Sequence, residues 1–272
     1  MDFTKMQGCG NDFVLIDGFK NKHDISAPLV KSICHRRFGV GADGLIVALP
    51  SEKADLRMQF FNPDGSEAEM CGNGIRCFAR FVKKRNITDK DALSVETLAG
   101  IIKTEITGEN VRVDMGEPRL DGARIPVNVP KSTVINQDIW VEQKHFRMTC
   151  VSMGNPHCVI FVPEITDELV LQWGPQIEKH GMFPKKTNVE FVEVINSKEL
   201  KMRVWERGAG ETLACGTGAC ATAIAASLIK AADRSSTVHL LGGDLHIEWS
   251  EQNNRVYMTG PAQFVFEGNW PL

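Results

Sequence analysis

The sequence predicts an α/β (α+β) protein made of two homologous domains from an internal duplication. Each domain is expected to be a mostly antiparallel or mixed sheet wrapped around a central helix, with the active site in the interdomain cleft. Three observations predict this. The stretch Phe60–Gly74 recurs without a gap as Val204–Gly218, at an offset of 144 (215 − 71). Both copies run through a glutamate into Cys-Gly-x-Gly, at Cys71 and at Cys215. An alternating, strand-like stretch precedes each copy, and a helical apolar pattern follows each.

The elements follow in order. Gly8-Cys9-Gly10-Asn11-Asp12 is a turn, and Phe13-Val14-Leu15-Ile16 reads as a buried strand. A helix follows, capped by Ser26 with Pro28 near its start; Leu29, Val30, Ile33 and Cys34 form its apolar stripe, and Gly39 is expected to end it. Gly39-Val40-Gly41-Ala42-Asp43-Gly44 matches G-x-G-x-x-G. That fingerprint has meaning only between a strand and the helix that receives a pyrophosphate. Here a helix precedes it and the strand Leu45–Ala48 follows, so a nucleotide site is rejected. Leu56–Phe61 alternates as a strand and leads to Cys71. Ile75, Phe78, Ala79 and Val82 then define an amphipathic helix, with Lys83, Lys84 and Arg85 in its last turn, where positive charge suits the helix dipole. Cys71 therefore sits at or just before a helix N-terminus. Val111–Met115 is a further strand, broken by Gly116-Glu117-Pro118.

The second half retraces the first. Gly10-Asn11 become Gly154-Asn155, followed by the strand Cys158–Phe161, and Gly44 becomes Asn188 ahead of the strand Val189–Val194. Lys201–Trp205 is the strand before the second cysteine, and Ala219–Ala226 is small or apolar on all sides, the pattern of a helix buried all round. The expected domains are 1–117 and 118–262, with the C-terminal strand 263–272 packing back on the first.

Bulk properties exclude several classes. The net charge of −3 and the ordinary hydrophobic content of 43% give no footprint for nucleic acid or an anionic membrane. No apolar run is long enough to span a bilayer. The N-terminus lacks the basic-then-apolar order of a secretion signal, so a cytoplasmic location is expected. The eight cysteines are then expected to be reduced. None forms Cys-x-x-Cys, and the seven histidines make no short-spaced pattern with them, so no metal site is expected. Six of the cysteines read as small buried hydrophobes.

A cysteine present twice, on equivalent positions of two domains, suits the inversion of a stereocentre. One group removes a proton from one face of a carbon and its twin delivers a proton to the other. Acid and base should then be alike, as a thiolate and a thiol are. A helix N-terminus lowers a thiol pKa from ~8.5. The amides after each cysteine, Gly72-Asn73-Gly74 and Gly216-Thr217-Gly218, suit a carboxylate. The competing readings are a cysteine nucleophile with His157 as base, which needs only one cysteine, and a non-catalytic amino-acid-binding protein. Asn11, Asn62, Asn155 and Asn188 taken alone are ordinary turn residues.

Met70-Cys71-Gly72-Asn73-Gly74-Ile75-Arg76-Cys77, with Phe61–Ser66 before it, closely resembles the first cysteine motif of the diaminopimelate epimerase family. Trp205-Glu206-Arg207-Gly208 and Ala214–Cys220 resemble the second, and Gly8–Phe13, Gly41–Gly44, Met153–His157 and Thr259–Ala262 are similar to further family motifs. The resemblance covers nearly the whole chain. It implies a cofactor-free epimerase of lysine biosynthesis that interconverts LL- and meso-2,6-diaminopimelate, with Cys71 and Cys215 as the catalytic pair. Asn11, Asn62, Gly72, Asn73, Asn155, Asn188, Glu206, Arg207, Gly216 and Thr217 would bind substrate. The distal amino-acid group would be read by Asn62, Asn155, Asn188, Glu206 and Arg207, and His157 and Glu206 would tune the thiols. Another cofactor-independent racemase of the same fold is the alternative. Two departures stand out. Some members carry a glutamine where this chain has Gly44, and some have a tyrosine that helps a homodimer form in a position like Phe266.

Overall fold

The first unit is built on β1 (Asp2–Gly8), β2 (Asn11–Asp17), α1 (Ala27–Cys34), β3 (Gly44–Leu49), β4 (Leu56–Phe61), β5 (Glu67–Ala68), α2 (Gly72–Lys84), β6 (Ala92–Thr97), β7 (Gly100–Thr107) and β8 (Asn110–Asp114). These come from a computed structural model that describes residues 1–20, 24–129 and 132–271. The chain divides into Met1–Asp114 with Thr259–Leu272, and Met115–Met258. Along the first sheet β1 pairs antiparallel with β2, β2 parallel with β3, β3 antiparallel with β4 and β4 parallel with β6. β6–β7 and β7–β8 are antiparallel hairpins. The two parallel steps are those with a helix between the strands, since a parallel pair needs a crossover too long for a tight turn.

The sheet wraps around α2, which packs on β1, β2, β3, β7 and β8. Ile75, Phe78, Ala79 and Val82 are fully buried, as their helical spacing predicts. On the other face of β2 and β3, Val14, Ile16, Leu45 and Val47 form a core with Val30 and Ile33 of α1. Both strands are therefore buried on both faces, and this explains their continuous apolar runs. Two details differ from the sequence reading. Ser26 is the N-cap of α1, but its side chain makes no capping bond, and the helix ends at Cys34 rather than at Gly39. His35 is extended there, and its Nδ1 accepts from the amides of Arg37 and Phe38 at 3.2 and 3.1 Å. Strand β1 was not read from the sequence. Its Thr4 and Lys5 are buried and break the polar–apolar alternation, Lys5 through an ion pair with Asp12 at 2.5 Å.

The second unit holds β9 (Gln137–Val141), β10 (Lys144–Ser152), β11 (Pro156–Phe161), a π-helical turn Glu168–Trp173 running into α3 (Gly174–Glu178), β12 (Asn188–Asn196), β13 (Glu199–Glu206), β14 (Gly210–Glu211), α4 (Gly216–Leu228), β15 (Ser235–Leu240) and β16 (Gly243–Trp249). β17 (Val256–Pro261) follows, and β18 (Gln263–Asn269) pairs antiparallel with β1 of the first unit. Pairing order and sense repeat: β10–β11 antiparallel, β11–β12 parallel, β12–β13 antiparallel, β13–β15 parallel, β15–β16 antiparallel.

Register repeats as well. Phe13 lies opposite Gly44 and Leu45 opposite Phe61; 144 residues on, His157 lies opposite Asn188 and Val189 opposite Trp205. α2 and α4 begin and end at positions separated by the same offset. It shortens by one residue after the helix: Leu56 faces Val95, whereas Leu200 faces Val238. Helix α4 is buried on all sides and packs on β10, β11, β12, β13, β15 and β16. Its alanines let the strands close in around it.

Candidate active site

Cys71 is the N-cap of α2, with extended backbone (φ −133°, ψ 121°), and its carbonyl accepts the first helical bond from Ile75 at 2.9 Å. The amides of Gly72, Asn73 and Gly74 are thus the first N–H groups of the helix, at the positive end of its dipole. A side chain at Gly74 would meet Ile46 Cδ1 at 3.1 Å and Phe13 Cζ at 3.6 Å, so an apolar pair supports this turn from behind. The Cys71 thiol donates to Asn11 Oδ1 at 3.5 Å, and Asn73 Nδ2 donates to the same oxygen at 3.3 Å. Asn11 Nδ2 in turn donates to Asp43 Oδ2 at 2.6 Å, and Arg36 holds Asp43 Oδ1 at 2.5 Å. Asp43 therefore fixes which face of the Asn11 amide meets the thiol. Sequence reasoning passed over it; its position between two glycines just ahead of a strand was the available signal.

Beneath the same helix end lies Arg76, fully buried. Its guanidinium donates to Gly72 O at 3.0 Å, Pro261 O at 3.2 Å and Cys9 Sγ at 3.5 Å. Asn62 is held in its own turn, its amide N–H on Ser66 O at 2.8 Å and its Nδ2 on Ser66 Oγ at 3.0 Å. The structure thus joins Asn11, Asn73 and Cys71 and places Asn62 in a separate turn. Gly44 has a packing reason. A Cβ there would lie 2.4 Å from Phe60 Cε2 and 2.7 Å from Phe61 O, so a longer residue requires the Phe60 ring to move.

Cys215 is the N-cap of α4 (φ −117°, ψ 107°), and its carbonyl accepts from Ala219 at 2.9 Å. Its sulfur accepts from the Gly218 amide at 3.4 Å and lies 3.5 Å from Thr217 Oγ1. Thr217 Oγ1 accepts from Asn155 Nδ2 at 3.2 Å, and Asn155 Oδ1 lies 3.0 Å from His157 Nε2. His157 Nδ1 lies 2.6 Å from Glu190 Oε1, and both residues are fully buried. A Cβ at Gly218 would stand 2.8 Å from Glu190 Oε1 and 3.2 Å from the Cys215 sulfur, so this carboxylate lies directly behind the turn. Burial pushes the Cys215 thiol well above its usual range; the charges of Glu206 and Glu190 add to this, while bonds from Thr217 and Gly218 oppose it. Burial also raises the Glu206 carboxyl, against the pull of the Thr212 hydroxyl at 2.5 Å.

The remaining expected residues meet at the end of β13. Asn188 Oδ1 accepts from the Arg207 amide at 2.8 Å, and its Nδ2 donates to Pro156 O at 2.8 Å. The exposed Arg207 guanidinium donates to Lys185 O at 3.2 Å. Glu178 of α3, another residue sequence reasoning missed, is buried and accepts from Trp205 Nε1 at 2.9 Å and from the Gly208 amide at 3.2 Å. It brackets the Glu206-Arg207 turn. Among the described residues, no group of three His, Cys, Asp or Glu side chains is arranged to hold a metal ion.

The sequence model of diaminopimelate epimerase matches residues 3–120 and 149–265, one segment for each half of the repeat. The chain belongs to the diaminopimelate epimerase family. It is 56% identical to the diaminopimelate epimerase of Moorella thermoacetica and 53% identical to that of Heliobacterium modesticaldum, covering the whole of both chains. Among solved structures, it resembles a hydroxyproline epimerase from Agrobacterium vitis (TM-score 0.70, 14% identity, 98% of this chain and 90% of that one). It also resembles a PhzF-family phenazine biosynthesis protein from Bacillus anthracis (TM-score 0.68, 16% identity, 100% and 99%). At those identities the two structures speak for the fold. Both matched segments include a cysteine at the N-terminus of the equivalent helix, Cys71 and Cys215, and the side chains behind the two differ.

Proposed function

We propose that the chain interconverts LL- and meso-2,6-diaminopimelate by two-base proton transfer, with Cys71 and Cys215 as base and acid. The observation that carries this reading is the pair of thiols at the N-caps of equivalent helices, Cys71 bonded to Asn11 and Cys215 linked through the Thr217 hydroxyl to Asn155, the asparagine at the same point of the repeat. The mechanism requires the two sulfurs to flank one α-carbon. One thiolate takes the α-hydrogen as a proton, the electron pair delocalises into the α-carboxylate, and the opposite thiol returns a proton to the other face. The amides of Gly72-Asn73 and Gly216-Thr217 meet the growing negative charge on the carboxylate, where donors aimed in advance act most strongly. Arg207 suits the distal carboxylate and Glu206 the distal ammonium, with Asn62, Asn155 and Asn188 completing the recognition. The scheme uses no cofactor.

We further propose a cytoplasmic homodimer. No helix among the described residues is long and apolar enough to cross a membrane. Phe266, 48% exposed on β18 and edge-on to Phe3 at 5.9 Å, offers an apolar surface for a second copy, which sedimentation at several concentrations would test. The activity itself is tested by incubating the enzyme with a panel of amino acids in heavy water. Deuterium at the α-carbon of diaminopimelate supports the assignment. Exchange confined to proline or another amino acid, or to none, overturns it.

A further inference from the structure

The groups behind the two thiols differ between the halves. Around Cys71 they include the side-chain amides of Asn11 and Asn73 and, one residue along, the buried Arg76 guanidinium on Gly72 O at 3.0 Å. Asp43 lies one bond further out and is held by Arg36. Cys9 and Cys77 are the neighbouring thiols. Around Cys215 the charged groups are Glu190 on β12 and Glu206 at the end of β13, with His157 on β11 against Glu190 and Cys158 beside it. Glu190 Oε1 is taken by His157, and Glu190 Oε2 is buried without a hydrogen-bond partner among the described residues. The positions of His157 and Glu190 are those of Phe13 and Ile46 in the first half, where the pair is apolar and lies behind Gly74. An unpartnered carboxylate oxygen in place of a methyl group, crowded against the glycine turn, has no packing advantage. Its effect is electrostatic.

We propose that Glu190 is a positioning residue that keeps the proton on Cys215, so that of the thiolate and thiol the two-base reading requires, Cys215 is the thiol at rest and Cys71 the thiolate. Arg76 is its counterpart of opposite sign beneath Cys71. The isomer whose α-hydrogen faces Cys71 then meets a ready base: its proton passes to the Cys71 sulfur, the electron pair remains on the substrate, and Cys215 gives up its proton to the opposite face. The enzyme is left with the proton on Cys71 and must exchange protons with solvent to return to rest. Glu190, by disfavouring a Cys215 thiolate, drives that return. The inference deepens the two-base reading and rests on it for its meaning.

The test reads the thiols without turnover, so it stands apart from the heavy-water assay. Full-length enzyme is alkylated with iodoacetamide across a range of pH, and modification of the Cys71 and Cys215 peptides is followed by mass spectrometry. In the unmodified sequence the Cys71 midpoint falls at lower pH than that of Cys215. Glu190→Gln, which is isosteric, moves the Cys215 midpoint down and speeds its alkylation at pH 7 about ten-fold. The rate at high pH and the Cys71 curve stay unchanged. A purely structural role would instead raise the high-pH rate by loosening access. The double variant His157→Phe with Glu190→Ile, which installs the first half's apolar pair, gives the same shift and guards against failure of the single variant. An unmoved or raised Cys215 midpoint in both variants overturns the proposal, as does a Cys215 midpoint below that of Cys71 in the unmodified sequence.

Discussion

Beneath Cys71 the second and third strands present Phe13 and Ile46 to the helix N-terminus; beneath Cys215 the equivalent strands present His157 and Glu190. The backbone frame is the same to the residue, since the register that puts Phe13 opposite Gly44 puts His157 opposite Asn188. Only the side chains in that frame differ. The difference shows that a duplicated scaffold fixes where two reactive groups sit and leaves their charge environment free to diverge. A symmetric fold thereby carries two thiols with different groups behind them. The halves diverge again at the end of the strand before each cysteine: Asn62 in a short turn corresponds to Glu206, half-buried beneath Thr212.

The largest effect tests what the halves share. Cys71→Ala and Cys215→Ala are each expected to lower epimerisation by roughly 10³-fold or more, because proton transfer to one face cannot be replaced by transfer to the other. Coupled epimerase assays in both directions check this. Near-full activity in one variant would show that only one half carries chemistry.

The next effect tests what they do not share. Arg207→Ala removes a charged donor that the first half lacks at the equivalent position, Pro63. Loss of a charge-assisted bond to the distal carboxylate costs about 1.5–3 kcal/mol, or roughly ten- to a hundred-fold in kcat/KM. Unchanged kinetics on diaminopimelate would remove distal recognition from this turn.

Much of this comparison was legible in the sequence, and the reasons for the rest are physical. The offset of 144 located both cysteines, both central helices and the strands leading into them, because backbone frame and chain length were duplicated together. Glu190 was hidden by alternation. In Val189–Val194 it occupies a polar position that reads as solvent-facing, yet β12 lies between a parallel and an antiparallel neighbour and is buried on both faces. The signal was in the repeat itself, where a titratable pair replaces an apolar one. Asp43 and Glu178 escaped because each acts on another residue's amide rather than on a thiol. β1 escaped because a buried lysine breaks its pattern.

A smaller effect separates the two turns. Gly218→Ala forces a methyl to 2.8 Å from Glu190 Oε1, whereas Gly74→Ala meets the flexible end of Ile46 at 3.1 Å. Overpacking of this kind costs typically 1–3 kcal/mol. Gly218→Ala should lower the Tm more than Gly74→Ala and disturb Cys215 reactivity more than Gly74→Ala disturbs that of Cys71. Equal losses, measured by calorimetry and thiol alkylation, would mean that the Glu190 side chain yields as readily as the isoleucine.

The smallest effect concerns acid stability, where the two halves should pull in opposite directions. Burial alone would raise the Asp12 carboxyl, but bonds from Arg36 and Lys5 bring it down from its ordinary 3.8 to about 2. A carboxyl lowered by folding contributes stability that is present above its unfolded pKa and is lost as pH falls through the folded one. The contribution of Asp12 therefore fades between pH 3.8 and about 2. Glu206 is raised by burial above its ordinary 4.5, so the folded state binds its proton more tightly than the unfolded chain does. Its ionised form costs stability at neutral pH, and that cost is relieved as pH falls towards 4.5. Melting curves from pH 7 to pH 2 should show Asp12→Asn flattening the acid loss. Glu206→Gln should raise the Tm at neutral pH and converge with the unmodified sequence near pH 4.5. If both variants tracked the unmodified sequence at every pH, the charge asymmetry between the halves would not extend to folding and would be confined to the thiols.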